Sequence, residues 1–505
     1  MESWTIYFTI LAVLLGVYYS LRRKKFFDEK DIIHARGLPI LGSMTPLIFQ
    51  RISIGEMIKR MYNISETAKY VGFYDLMNSP VVVLRDIEVI KSVGVKHFDH
   101  FVDRTAMVDP EQEPLFGNNL AGLRGNKWRE MRNLLSPAFT SSKMKGMFKL
   151  MSDCAENFAN HIANETSSKP ITYNMKDASA RYATDVIATC AFGVAVDSMK
   201  NPNNDFYVLG RKASIFQGFT LVKMQLMKSL PWLTKILGIH VLDPKIDKFF
   251  VELVQSTIDA RDKEGIVRPD MIQLMMEARK NKEDGGPGLD IRDMVSQAFV
   301  FFFGGFDTTS SAMCFVAHHI AMDPDVQRKL QKEVDEVYEQ CDQSVTYEAI
   351  NNMKYLDALV NECLRLYPIG VALDRLCTKE FELPPALPGK KPVLLKAGDR
   401  VWIPVYALHI HPDYFHEPEK FYPERFIEDP KILHSPAYFP FGIGPRMCIG
   451  NRFALMEMKV LIFHLVLKCN LSIGEKMILP LEFDRKVLGM AAKGGFWVSM
   501  EPRRK

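Results

Sequence analysis

The sequence predicts a mainly α protein with small β-sheets, lying behind one N-terminal transmembrane helix. Three observations carry that reading. Apolar residues at helical spacing run from Asp290 to about Met322 and again from Phe453 to Leu467, whereas strand-like runs are short. Of 505 residues, 47% are apolar and 25% charged, enough for a large core and free of disordered or fibrous bias. Residues Trp4 to Leu21 are nearly all apolar and pass at once into Arg22-Arg23-Lys24-Lys25, the pattern of a bilayer span with a basic stop.

The basic stop puts the body on the cytosolic side. Glu2 ahead of the apolar run, and Val17-Tyr18-Tyr19-Ser20 closing it, argue for an uncleaved anchor over a signal peptide. Residues 1–25 read as anchor, 26–46 as a bent linker around Gly37-Leu38-Pro39-Ile40-Leu41-Gly42, and 47–505 as a single domain. The net charge of +4, with no dense basic tract beyond the N-terminus, excludes nucleic acid as a partner. Eight cysteines without Cys-x-x-Cys or His-x-Cys spacing argue against a disulfide framework or structural zinc. Sequons at Asn63, Asn164 and Asn470 read as unmodified.

In chain order, Tyr70 to Phe73 and Val81 to Leu84 are strand-like, with a helix-like segment from Asp86, so a small sheet should pack beside the helices. Trp128 and Arg132 lie four apart in a helical pattern and share a face. By themselves they read as a core Trp beside an exposed Arg. Phe206 to Phe250 is apolar and irregular, equally a buried pair of helices or a flap dipping into a membrane surface. Asn281 to Gly288 is a polar loop, and Asp290 then starts a long helix. At its centre, Gly304-Gly305-Phe306-Asp307-Thr308-Thr309 puts two glycines, each costing about 1 kcal/mol in a helix, beside a carboxylate in an apolar run. The glycines admit a ring or ligand, or form the contact of two crossing helices. Asp307 and Thr308 supply a proton source and a hydroxyl. Asp323-Pro324 ends this helix and begins another with an apolar stripe. Glu362 and Arg365 lie one turn apart on the next, an ordinary exposed pairing unless Arg425, in Pro423-Glu424-Arg425-Phe426, joins them.

The chain is organised around Phe441-Gly442-Ile443-Gly444-Pro445-Arg446-Met447-Cys448-Ile449-Gly450. A cysteine at the mouth of a helix meets free N–H groups and the positive dipole end, which favour a thiolate. Gly444 permits a left-handed turn, Gly450 removes a side chain where a ring would collide, and Arg446 offers a carboxylate fork. Cys448 alone reads as one more buried cysteine. Five fixed positions together are expected by chance about 10⁻⁴ times in a chain of this length.

This loop resembles the haem-binding loop of the cytochrome P-450 family. The other motifs follow in family order: Trp128/Arg132, Gly305 to Thr309, Glu362/Arg365 and Pro423 to Phe426. In detail the chain is similar to the animal microsomal clan of drug- and toxin-oxidising enzymes. The resemblance implies a large helical domain around a buried haem b, with a small β-rich N-terminal lobe. Cys448 would ligate the iron. Trp128, Arg132, Arg446, Arg104 and Arg375 would hold the haem and its propionates. Asp307 and Thr308 would deliver protons. Glu362, Arg365 and Arg425 would form a structural triad. Phe101, Phe116, Phe301, Phe302, Gly305, Val371, Leu373 and Met490 would line a substrate pocket. It further implies a monooxygenase in the endoplasmic reticulum membrane that hydroxylates or epoxidises a lipophilic xenobiotic or steroid- or lipid-like molecule with O2. No Rossmann fingerprint is present, so electrons are expected from NADPH through a separate flavoprotein reductase. A haem-thiolate isomerase or dehydratase, or a non-catalytic haem sensor, would share the Cys loop.

Overall fold

The computed structural model describes residues 26–503 except 215–218, 269, 284–287 and 488, with a few isolated positions between 7 and 18. The expected anchor over Trp4 to Leu21 and its basic stop lie largely outside the described residues, as do Leu488 and the middle of the 281–288 loop.

Helix α1 (Ile54–Tyr62) starts at a capping box, Ser53 accepting from the Glu56 N–H and Glu56 from the Ser53 N–H. Its Met57, Ile58 and Met61 are buried against β1 (Tyr70–Tyr74) and β2 (Pro80–Leu84). α2 (Gly125–Leu135) carries Trp128, and α3 (Ser141–Glu165) crosses the molecule to β3 (Ile171–Asn174). α4 (Met175–Ile187) is capped by Asn174, which accepts from the N–H groups of Lys176 and Asp177.

The apolar stretch from Phe206 to Phe250 is buried at its two helical ends, around Phe206 and Phe250, and exposed in its middle. It contains α5 (Phe219–Ser229) and α6 (Pro231–Ile236), and there Trp232 is 63% exposed, Ile236 74% and Leu237 61%.

The central helix runs from Ile291 to Met322, with 56% of its most apolar window buried inside the protein. It is not one regular helix. α7 (Ile291–Phe303) passes into a π-helical turn over Gly304–Thr309 before α8 (Ser310–Met322) resumes, and such turns gather where a helix does chemistry. α9 (Pro324–Gln340) is capped by Asp323, and α10 (Lys354–Leu366) is nearly all buried. Strands β4 (Leu373–Leu376), β5 (Phe381–Leu383), β6 (Val393–Leu395) and β7 (Arg400–Ile403) follow. α11 (Asn451–Lys468) is buried over most of its circumference between α3, α9 and α10, and β8 (Cys469–Ile473) and β9 (Trp497–Pro502) close the chain.

The larger sheet has the order β1-β2-β7-β4, with β2 and β7 parallel (Val82 opposite Val401). The β-rich lobe is therefore not N-terminal alone. Two of its four strands come from beyond residue 370, since β2 is apolar along its length and needs a partner on each edge. β3, β9 and β8 form an antiparallel sheet, and β5 and β6 a hairpin pair.

Candidate active site

The Cys loop is shaped by two left-handed glycines. Gly442 has φ +89° and Gly444 φ +72°, and a Cβ on Gly444 would lie 1.9 Å from the Gly94 carbonyl oxygen, so only glycine fits. The Cys448 N–H donates to the Phe441 carbonyl at 2.8 Å, closing the loop one turn ahead of α11. Cys448 has accessible surface, and it opens onto an internal cavity of about 1390 Å³. Burial pushes the free thiol up, against the smaller opposing effects of the Gly450 N–H, Arg132 and Arg104.

Arg104, Arg132 and Arg446 line the cavity near Cys448, and Arg375 is buried behind that wall. The Arg132 side chain makes no hydrogen bond or ion pair among the described residues, while Arg104 donates to the Arg446 carbonyl at 3.3 Å. Arg375, 1% exposed, donates to the carbonyls of Asp374 and Ile443 and leaves Nε buried with no hydrogen-bond partner among the described residues. Burial and the neighbouring Arg104 pull it down to about 9. Arg446 behaves differently. It donates to the Val102 carbonyl at 2.9 Å and the Leu123 carbonyl at 2.7 Å and stacks on Trp128 at 4.1 Å, so its fork clamps backbone and is not free for a carboxylate. Its nearest carboxylate oxygen, on Asp103, is 3.9 Å away. The cluster is short of anions.

Across the cavity lies the π-turn. A Cβ on Gly304 would meet no protein atom within 4 Å, whereas one on Gly305 would lie 2.3 Å from Ile187 Cδ1. The two readings of the glycine pair thus divide: Gly304 is open to the cavity, and Gly305 makes the crossing with α4. Thr308 lines the cavity and donates to the Gly304 carbonyl. Asp307 points the other way and accepts from Lys176 Nζ at 2.9 Å, an ammonium that also donates to Ser310 and Ser311. Lys176 was not legible in the sequence, because α4 precedes the turn by more than a hundred residues. Thr309 also lines the cavity, and burial pushes the fully buried Glu457 beside it well up, against the lesser opposing effect of the Thr309 hydroxyl.

Glu362 is wholly buried and accepts from Arg365 Nε at 2.7 Å and Nη2 at 2.8 Å and from Arg425 Nε at 3.1 Å. The two arginines spend their remaining N–H groups on carbonyls of residues 409–420, which fixes that irregular segment. His409, absent from the sequence reading, ties it to the Cys loop: Nδ1 donates to the Arg365 carbonyl and Nε2 accepts from the Phe439 N–H.

Of the expected pocket wall, Phe301, Gly305 and Leu373 line the cavity. Phe101, Phe116, Phe302, Val371 and Met490 are not among its lining residues. Phe302 stacks with Phe306 and packs on Phe250, Phe116 lies edge-on to Phe299, and Phe101 meets Phe381. Aromatic mass here goes into core layers. Arg485, Lys486 and Val487 take the wall position foreseen for Met490.

A thiol, a ring of under-neutralised arginines, an orphaned Arg375 Nε and a glycine gap suit a flat, metal-bearing ring with two carboxylates. That is the site of a haem-thiolate protein. The chain belongs to the cytochrome P450 family, whose model matches residues 36–497. It is 42% identical to cytochrome P450 9e2 of Blattella germanica, covering 99% of this chain and 98% of that one. It is 36% identical to probable cytochrome P450 9f2 of Drosophila melanogaster (98% and 99% covered) and 35% identical to cytochrome P450 6j1 of Blattella germanica (99% of each). The protein is accordingly an oxidoreductase, a monooxygenase with cysteine-ligated haem.

Proposed function

We propose that Cys448 is the iron ligand and that the protein hydroxylates or epoxidises lipophilic small molecules, foreign compounds among them, in the endoplasmic reticulum membrane. One observation carries this reading: Cys448 and Thr308 line one largely apolar cavity, with Arg104 and Arg132 on the same wall to receive propionates. When bound, the haem supplies O2 activation, and the thiolate raises its electron density.

The chain's own residues do the rest. Arg132, Arg104 and Arg375 Nε would take the propionates, while Arg446 and Trp128 act one step back by fixing the segment that holds Arg104. Thr308 Oγ1 would accept a proton from the Asp307 side of the turn and pass it into the cavity, the two side chains lying on opposite faces. Lys176, 38% exposed, would fix the direction of the Asp307 carboxyl and keep it within reach of water. Phe301, Leu373 and Ile187 would keep the cavity dry and hold substrate by contact area alone. The exposed apolar residues of α6 support a membrane-facing entrance. Electrons from NADPH would arrive through a flavoprotein reductase on the Cys448 side. Of the basic residues there, Arg129 and Lys145 are already paired, with Asp99 and Glu348.

The test is a carbon monoxide difference spectrum in membranes with the reductase, using NADPH and, separately, dithionite. A red-shifted thiolate Soret band with both reductants is expected, and it should be lost in Cys448→Ser. A band with dithionite alone would favour an isomerase or a sensor.

A further inference from the structure

Apart from the cavity of Cys448, α1 and the irregular segment 410–420 enclose a second cavity of about 850 Å³. Arg85, directly after β2, and Tyr62, at the end of α1, line it and are only 7% and 3% exposed. The Arg85 guanidinium lies over the Tyr62 ring at 4.4 Å and donates from Nε to the Tyr62 carbonyl and from Nη1 to the Ala68 carbonyl. Those bonds leave Nη2 without a partner, and no carboxylate pairs with the group among the described residues. The Tyr62 hydroxyl likewise makes no hydrogen bond among the described residues. Donors this deep are costly without an acceptor. His411 packs edge-on against Tyr62 at 5.6 Å, and its Nδ1 accepts from the Asp413 N–H, so Nε2 carries the proton as a further donor. The remaining charges are sorted. Lys59 pairs with Glu419 at 2.7 Å and Lys420 with Glu417 at 3.3 Å, which leaves Asp413 and Glu66, both exposed at the rim, with no lysine or arginine partner among the described residues. A buried cation thus faces open acids across Tyr62 and His411. Those acids would repel a lone anion, and a lone cation would leave the buried donors empty.

We propose that this cavity is a second ligand site, separate from the cavity of Cys448, that takes a short unbranched amino acid as its zwitterion. The carboxylate accepts from Arg85 Nη2 and the Tyr62 hydroxyl, and the ammonium faces Asp413. Each charge of the ligand meets its opposite, while Ala407, Ile410, Pro412 and Pro418 give its methylene chain an apolar wall. The bound molecule bridges α1 and the segment that Arg365 and Arg425 hold through the carbonyls of Pro418 and His416.

The test is isothermal titration calorimetry of the full-length holoenzyme in detergent, at low salt, with 4-aminobutanoic acid, butanoic acid and butylammonium chloride. The zwitterion should bind about fivefold more tightly than either singly charged analogue, the scale of one partly screened charge pair. The Soret band should not move, because Cys448 opens onto the other cavity. Asp413→Asn should erase the advantage over butanoic acid. Tyr62→Phe keeps the ring under Arg85 and should weaken the zwitterion about fivefold, the loss of one hydrogen bond. Arg85 stays in place throughout, since its removal strands the Tyr62 and Ala68 carbonyls. Equal binding of 4-aminobutanoic and butanoic acids, no saturable heat, an advantage that survives Asp413→Asn, or a Soret shift on binding would each overturn the proposal. If a variant fails to fold, the wild-type comparison of the three compounds decides alone.

Discussion

Arg375 and Arg446 lie side by side and have opposite tasks. Arg375 keeps Nε buried and unpaired, whereas Arg446 spends its nitrogens on the carbonyls of Val102 and Leu123. Arg375→Met should therefore lower the haem-to-protein ratio several-fold after dialysis, beyond the loss of melting temperature expected from stranding the Asp374 and Ile443 carbonyls. Arg446→Met should instead lower the melting temperature, because stranding buried carbonyls costs about 1–3 kcal/mol each. Both readouts come from one purified preparation, by haem absorbance and thermal melt. Thr308 brings a hydroxyl of the turn to the cavity, so Thr308→Ala should raise NADPH consumption per product formed while leaving the carbon monoxide band in place. Undiminished coupling would remove Thr308 from proton delivery.

At the scale of elements, the loops and crossings depend on what a Cβ would strike. Gly444→Ala would force a side chain into the Gly94 carbonyl at φ +72°, where no rotamer relieves the clash, and little haem-loaded protein should be recovered. Gly304→Ala meets no protein atom and gains helix propensity, so its melting temperature should hold or rise slightly. The Glu362 triad ties α10 to the irregular segment 409–420 and, through His409, to the Cys loop. Glu362→Gln should cost about 3–5 kcal/mol, the scale of leaving buried guanidinium groups unpaired, and should show as haem loss on mild heating.

For the molecule as a whole, acid lability follows from its buried histidines. Burial holds His409 and His319 at about 3 and His318 and His464 at about 4, below the ordinary imidazole value. Between those values and about pH 6.5 the unfolded chain binds more protons at these sites, so stability falls as pH falls. Asp185, raised to about 7, and Glu457, raised well up, act in the opposite sense, since the native state keeps their protons. The histidines, with His411 also lowered by burial, outweigh these two carboxyls and the raised Glu113 and Asp399. The melting temperature should decline from about pH 6.5 toward pH 5, and a flat profile would contradict this burial pattern.

The motifs legible in the sequence are those in which chemistry and spacing are local: Cys448 with its glycines, Trp128 with Arg132, the Gly305 to Thr309 turn, and helix starts such as Asp290 and Asp323 that carry their own caps. Local spacing fixes these because each rests on backbone geometry within a few residues. Which residues meet across long separations was decided by the tertiary structure. It paired β2 with β7, turned Arg446 inward onto Val102 and Leu123, set Lys176 on Asp307, and placed His411 against Tyr62. It also drew Phe302 and Phe116 into the core and left Arg485 and Lys486 on the cavity wall. The physical reason is that apolar residues supply both core and pocket with the same composition, so only close packing decides which of them face the empty space.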